Sequence, residues 1–496
     1  MSPPRLYLSA AHKSSGKTTL TVGLCAALRA RGMVVQPFKK GPDYIDPIWH
    51  GMASGHDCHN LDFHTMGHDE IRALFQRHAR HGDVNLIEGN KGLYDGIDIQ
   101  GRDSNAAMAQ LLQAPVILIL DTRGITRGIV PLLLGYQAFE PRVDIAGVLL
   151  NRIAGSRHEA KLRAAIEHYT DTPILGAIPN DGGMELPERH LGLVPGNEFG
   201  DAGEFIDRAA QVIESHVMLD RLIHIANAAP PLVDLAPFPS SARQGTTSGP
   251  IGDSGSALAG PTIRIGIPRD PAFGFYYPDD LAALRRAGAE LVSFNTLSDT
   301  QLPPVDALFI GGGFPEVHME ALQANAQLRG AIRTALDNDM PAYAECGGLM
   351  YLTRGISWQG KRCEMVGALP AETIMHARPQ GRGYVVLRET GNGPWSPVRH
   401  GVSDTRSRPE IKAHEFHHAQ VIPASEPGAP LQYAYHVLRG HGIDGRHDGI
   451  VYRNLLAGFS HLRSVGDNHW ARAFVDYIRK IPTRNCASYH AKKPAK

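Results

Sequence analysis

The stretch Arg5-Leu6-Tyr7-Leu8-Ser9-Ala10-Ala11-His12-Lys13-Ser14-Ser15-Gly16-Lys17-Thr18-Thr19 decides the fold of the first half of the chain. An apolar strand runs into a loop of small residues, then into the amphipathic helical pattern of Lys17–Arg31. A loop that cradles phosphate needs small residues, because backbone N–H groups must point at phosphate oxygens. Ser14, Ser15, Gly16 and Thr19 line such a loop, Lys17 reaches the β- and γ-phosphates, and the Thr18 hydroxyl faces Mg²⁺. Ala11 stands where the common pattern has its first glycine, so position between strand and helix carries the reading as much as the motif does.

Outward from this loop, strand-like and helical stretches alternate to about residue 225. Val34–Lys39, Val84–Glu88, Pro115–Asp121, Ile145–Asn151 and Pro173–Ile178 read as strands, several of them near-continuous apolar runs of the kind covered on both faces. The alternation predicts a mostly parallel sheet with helices on both sides. Residues 228–261 open with Ala228-Ala229-Pro230-Pro231 and turn rich in Ser, Gly, Thr and Pro, which reads as a flexible linker. The alternation restarts at Ile263–Ile267 and continues through Pro278–Ala287, Glu290–Phe294, Ala307–Gly311 and Pro341–Glu345. The expected organisation is therefore 1–227, a linker at 228–261, a second α/β domain at 262–482 and a disordered basic tail at 483–496.

Ligands gather at the carboxyl ends of strands in open α/β sheets. Lys39-Lys40-Gly41-Pro42-Asp43-Tyr44-Ile45-Asp46 follows the second strand, and Glu88-Gly89-Asn90-Lys91-Gly92-Leu93-Tyr94-Asp95-Gly96 follows the third. Oxygen ligands suit Mg²⁺, so Thr18, Asp43 and Glu88 form the candidate metal set, with Asp46 and Asp95 in reserve. Each of these acids could instead cap a turn. Asp121 ends a buried strand and could approach the metal through water; Asn151 ends another and could read an adenine edge.

In the second half, Pro341-Ala342-Tyr343-Ala344-Glu345-Cys346-Gly347-Gly348 puts a cysteine on a strand–turn–helix elbow. Such an elbow exposes a nucleophile and leaves the following N–H, that of Gly347, for an oxyanion. Gly311-Gly312-Gly313 follows another strand and could supply a second donor. A thiol nucleophile needs a base, and His461, in Gly458-Phe459-Ser460-His461, lies just past a plausible last strand. His414, His417, His418 and His469 compete for that role. His414-Glu415-Phe416-His417 lacks the spacing that sets two zinc ligands on one helix face.

Composition bounds the rest. The 496 residues suffice for two or three domains, and Lys+Arg and Asp+Glu both number 50, which argues against a nucleic-acid or membrane-surface partner. No run approaches a membrane span, and the N-terminus has no secretory pattern, so the expected location is cytoplasmic. The five cysteines, Cys25, Cys58, Cys346, Cys363 and Cys486, show no CxxC spacing and predict neither disulfides nor a zinc site.

Lys40–Asp46, Glu88-Gly89 with Gly92–Gly96, Leu186–Gly192, Ala272-Phe273 with Phe275–Tyr277, Gly311–Glu316, Glu345–Met350 and His414–His417 together resemble the cobyrinate a,c-diamide synthase family from about residue 6 to about 478. The resemblance implies two doubly wound α/β domains, one P-loop NTPase-like and one a flavodoxin-like class I glutamine amidotransferase. It implies ATP- and glutamine-dependent amidation of the a and c acetate carboxylates of a corrinoid acid, with Mg²⁺. Ammonia released at Cys346 and His461 would attack an acyl phosphate made with ATP. It places ATP on Ser14–Thr19, Lys39 and Asn151, the acid substrate near Asp43, Tyr44, Asp46 and Asp95, and glutamine near Gly312 and Gly347. The partners are small molecules, with no nucleic acid and no membrane, and a homodimer stays open. The usual glutaminase carboxylate, two residues after the histidine, is here Arg463, which leaves a Cys–His dyad. Asn90-Lys91 and the run Asn60–Met66 depart from the corrinoid pattern and resemble a branch that amidates sirohaem, the alternative acceptor. A partitioning-type ATPase switch is the reading from another class; its signature lysine is absent, since position 12 is His12.

Overall fold

The structure is a computed structural model that describes residues 2–189, 192–232, 262–396, 408–424 and 431–481. The chain divides into two compact units, Met1–Gln244 and Gly245–Lys496. The expected tail at 483–496, nearly all of the expected linker, and His190-Leu191 of one motif lie outside the described residues.

The first unit is built on seven strands: β1 (Arg5–Ala10), β2 (Val35–Lys40), β3 (His59–Leu61), β4 (Val84–Glu88), β5 (Val116–Asp121), β6 (Ile145–Ile153) and β7 (Ile174–Pro179). They lie in the order β3-β2-β4-β1-β5-β6-β7, all parallel. The runs read as two-face-covered strands are so: every residue of β1 and β4 is buried. Helix α1 (Lys17–Ala30) follows β1 and buries Leu20, Leu24 and Leu28, spaced four apart on one face. Helix α2 (Ile45–Ser54) follows β2 and seats Trp49, fully buried, against Phe199 and Phe205. The carboxyl ends of the adjacent strands β1, β2 and β4 therefore deliver the loops after Ala10, Lys40 and Glu88 to one place.

The second unit carries a nine-stranded sheet. From edge to edge its strands are Ala289–Phe294, Ile263–Pro268, Ala307–Ile310, Ala342–Glu345, Leu455–Gly458, His447–Tyr452, Gln432–Arg439, Gly381–Glu389 and Glu410–His417. The first five are parallel, the doubly wound part that the sequence predicts. The remaining four extend it antiparallel, which the alternation of apolar runs did not announce. These strands are half-buried: Gly381–Glu389 buries three of its residues, Gly381, Val385 and Leu387. A parallel strand covered on both faces reads as an apolar block, whereas a one-sided strand gives only a weak alternation. The nucleophile strand Ala342–Glu345 and the strand Leu455–Gly458 that leads to His461 are direct neighbours, pairing Glu345 with Gly458.

The four described cysteines, Cys25, Cys58, Cys346 and Cys363, are free and buried. Among the described residues no helix is long and apolar enough to cross a membrane.

Candidate functional sites

In the first unit the loop after β1 turns on Gly16, whose φ of 85° lies in the left-handed region that favours glycine. A Cβ there would also meet Asn151 Nδ2 at 2.3 Å. Asn151 donates from Nδ2 to Ser15 O at 2.9 Å, and Arg152 donates to Ser14 O at 2.8 Å. Both residues thus brace the loop from the end of β6. Asp121 is ion-paired with Arg123 and Arg152, at 2.8 and 2.7 Å, so its carboxylate supports this brace.

Lys17 is buried and donates to Lys91 O at 2.6 Å, which draws the loop after β4 over the phosphate loop. Burial pulls its ammonium down to about 8, a shift that a bound anion would reverse. Thr18 Oγ1 donates toward Asp46 Oδ2 and Glu88 Oε1, each at 3.2 Å. Lys39 Nζ reaches the same two oxygens at 2.5 and 2.6 Å and lies 3.9 Å from Asp43 Oδ2. Burial opposes the Lys39 charge, but Asp46, Glu88 and Asp43 outweigh it and hold its ammonium well above the usual lysine range. Glu88 is fully buried; burial pushes it up, yet Lys39 and His50 prevail and hold it well below the ordinary carboxylate range.

The structure brings Thr18, Glu88 and Asp46 together, with Asp43 on the other side of Lys39 Nζ. Asp46 stands beside Thr18 and Glu88. Asp43 Oδ1 instead accepts from the N–H groups of Ile45 and Asp46, at 3.0 and 3.2 Å, capping α2. Partial burial and the Asp46 carboxylate push Asp43 up to about 7. A hydroxyl and two carboxylates converging behind a phosphate loop are the hard oxygen donors that Mg²⁺ takes alongside phosphate and water, so these residues fit that ion. Tyr44 is buried at the start of α2. Asp95 Oδ2 accepts from Gly92 N–H at 2.9 Å, closing the turn that carries Lys91.

His50 was not anticipated. Its Nε2 lies 2.7 Å from Glu88 Oε2, with both side chains fully buried. The signal was present in spacing: Asp46 and His50 are one helical turn apart on α2 and share a face. His50→Leu is expected to destabilise the first unit by about 1–3 kcal/mol, the cost of removing the polar ring that faces a buried carboxylate. Chemical denaturation of the variant checks this, and unchanged stability would contradict it.

In the second unit Cys346 has φ 48° and ψ −103°, a strained backbone of the kind that costs about 1–3 kcal/mol and collects at nucleophiles. It is held by Cys346 N–H donating to Gly458 O at 2.8 Å and by Met350 N–H donating back to Cys346 O at 3.1 Å. The Gly347–Leu352 helix packs so closely on the Gly311–Gly313 loop that a Cβ on Gly348 would lie 2.2 Å from Ile310 O. A Cβ on Gly312 would lie 2.8 Å from His461 Cε1. The structure thus places Cys346, Gly347, Gly312 and His461 close together.

His461 is buried and stacks at 4.9 Å on His414, whose Nδ1 lies 3.3 Å from Tyr277 Oη. Burial would lower its pKa, but hydrogen bonding to Cys346 and Glu345 raises it to about 10. His461 Nδ1 lies 3.2 Å from Glu345 Oε2. Arg463 points elsewhere: its guanidinium lies 4.6 Å over the Tyr277 ring and 3.3 Å from Asp279. The expected Cys–His dyad therefore has a neighbour, Glu345, that spacing did not reveal. Its signal was a buried acid at the end of an apolar strand, on the same face as Tyr343 two residues earlier.

A phosphate loop backed by oxygen donors in one unit, and a cysteine elbow with a histidine in the other, define an ATP-using, glutamine-fed ligase. Residues 10–194 match the CobQ/CobB/MinD/ParA nucleotide binding domain, and residues 264–469 match the CobB/CobQ-like glutamine amidotransferase domain. The cobyrinate a,c-diamide synthase of Magnetococcus marinus is 47% identical over 477 residues, covering 96% of this chain and 97% of that protein. Those of Methanosarcina acetivorans and Archaeoglobus fulgidus are 39% and 38% identical, covering 96% and 97% of this chain and 96% and 98% of their own. The chain belongs to the cobyrinate a,c-diamide synthase family and is a glutamine-dependent, amide-forming ligase.

Proposed function

We propose that this enzyme converts the a and c acetate carboxylates of cobyrinic acid, or of its metal-free counterpart, to amides in cobalamin biosynthesis. The observation that carries the reading is the pairing, in one chain, of the Lys17–Thr18–Lys39–Asp46–Glu88 cluster with the Cys346–His461 pair. The names of the relatives supply the acceptor.

Cys346 attacks the side-chain carbonyl carbon of glutamine, the Gly347 N–H receives the oxyanion, and His461 gives its proton to the departing ammonia. Water then cleaves the thioester with His461 as base, releasing glutamate and restoring the thiol. In the first unit an acetate oxygen of the substrate attacks the γ-phosphorus of ATP and ADP leaves. Ammonia displaces phosphate from the resulting acyl phosphate, forming the amide. Lys17 holds the β- and γ-phosphates, and Lys39 keeps the Glu88 and Asp46 carboxylates compatible with an incoming polyanion. Thr18, Glu88 and Asp46, with Asp43 nearby, would hold Mg²⁺, which supplies charge neutralisation at the phosphates. Asp43, Tyr44 and Asp95 stand on the loops that would meet the acid substrate. ATP and glutamine are cytoplasmic metabolites, and we place the reaction there.

The departures Asn90 and Phe63 have local partners: Asn90 Oδ1 lies 3.3 Å from Lys40 Nζ, and Phe63 meets His68 edge-on at 5.3 Å. The test offers cobyrinic acid and sirohaem in parallel with ATP, Mg²⁺ and glutamine and reads product masses. Two successive amidations of cobyrinic acid are expected. Amidation of sirohaem alone would overturn the acceptor while leaving the chemistry in place.

A further inference from the structure

We propose that Glu345, the residue immediately before the nucleophile, is the carboxylate that positions His461 for proton transfer with Cys346. The proposal rests on the reading of Cys346 and His461 as the glutamine-cleaving pair, and adds to it the residue that sets the imidazole's orientation and tautomer.

The geometry is specific. Glu345 is buried, and its two oxygens divide their work. Oε2 takes the His461 ring at Nδ1, 3.2 Å away. Oε1 accepts from Tyr343 Oη at 2.6 Å and from the backbone N–H of Leu462 at 3.0 Å. The carboxylate thus grips the ring of His461 and the peptide that follows it, while Tyr343, packed face to face with Phe309, fixes the carboxylate. A carboxylate oxygen only accepts, so Nδ1 carries the proton. The other ring nitrogen, Nε2, is then the one that exchanges a proton with Cys346, and it serves as base in the hydrolytic step, once the sulfur is acylated. Without the carboxylate the ring orientation and neutral tautomer lose this constraint, and the imidazolium loses its counter-charge.

The position two residues after the histidine, where this role usually falls, holds a cation here. Arg463 is buried, paired with Asp279 and stacked on Tyr277, so it could not orient a proton-bearing Nδ1 even if it turned inward. Topology explains how Glu345 substitutes. The strands Ala342–Glu345 and Leu455–Gly458 are parallel neighbours, and their ends place residue 345 opposite 458, three residues before His461.

The test is Glu345→Gln, assayed for glutamine hydrolysis, with a thermal melt as the control for folding. Glutamine at this position retains the size and keeps Oε1 able to accept, but it presents an N–H₂ to Nδ1 and so favours the wrong tautomer. We expect kcat to fall by on the order of 10²- to 10⁴-fold, the range for general acid–base catalysis. KM for glutamine should stay within about threefold, since no ground-state contact with substrate is removed. Glu345→Asp, which keeps the charge one methylene short, should recover part of the lost kcat. An unchanged kcat in Glu345→Gln would overturn the proposal. So would a parallel loss of kcat and rise of KM with no recovery in the aspartate variant, which is what a merely structural role produces. Should the glutamine variant not fold, Glu345→Asp decides alone: a lowered kcat at unchanged KM upholds the proposal and an unchanged kcat overturns it. Cys346→Ala in the same assay separates the two levels. If it still hydrolyses glutamine, the reading of the site fails; if it is inactive while Glu345→Gln is fully active, only the present proposal fails.

Discussion

Lys17→Ala is expected to abolish amidation with glutamine and with free ammonia alike, by about 10²- to 10³-fold or more in kcat/KM, the cost of removing one preorganised charge partner from a transferring group. The argument is electrostatic. The Lys17 ammonium is buried, donates to the Lys91 carbonyl, and is pulled by burial down to about 8 in spite of Glu88, Asp46 and Asp95. A cation held so poorly in the free protein gains most when a polyanion arrives, and the phosphate loop brings one to its Nζ. Acyl-phosphate formation precedes nitrogen entry, so the source of nitrogen should not matter. Steady-state rates with both donors check this. Full activity with ammonia would remove Lys17 from phosphate binding.

Cys346→Ala should divide the two donors. Glutamine-dependent amidation should fall on the order of 10⁴-fold or more, since a covalent nucleophile has no substitute. Ammonia-dependent amidation should persist, because the phosphate loop and its acids all belong to the first unit. Loss of both activities, in a protein that still melts cooperatively, would mean that Cys346 supports the fold and does not supply nitrogen.

Much of this was legible in the chain itself, for reasons that differ by site. The phosphate loop is a local device: its glycine, lysine and threonine act within a few residues, so the motif and its flanking strand and helix suffice. The cysteine elbow is equally local, and its glycines are required by approaches as close as 2.2 Å for a Cβ on Gly348. Partners set by topology were harder to see. Glu88 and His50 meet because β4 lies beside β2 in the sheet, an order that no spacing states. Glu345 and His461 are 116 residues apart and meet through the pairing of two strand ends. Asp43 read as a candidate ligand with Asp46 in reserve, and the start of α2 sets them apart: Asp43 Oδ1 accepts from the first N–H groups of the helix, while Asp46 turns toward Thr18. Asn151, expected at an adenine edge, makes its described contact with the back of the phosphate loop. The antiparallel half of the second sheet stayed hidden because its strands bury one face.

The central claim is that a single chain moves nitrogen from glutamine onto a tetrapyrrole carboxylate at the expense of ATP. Its most direct test is mass spectrometry of the cobyrinic acid product formed with glutamine labelled by ¹⁵N in the side-chain amide, with ATP consumption followed in the same reaction. The account predicts ¹⁵N in each new amide, one ATP cleaved per amide, and no labelled product when Cys346 is alanine. Amides formed without ¹⁵N, or labelled amides formed without ATP cleavage, would contradict it.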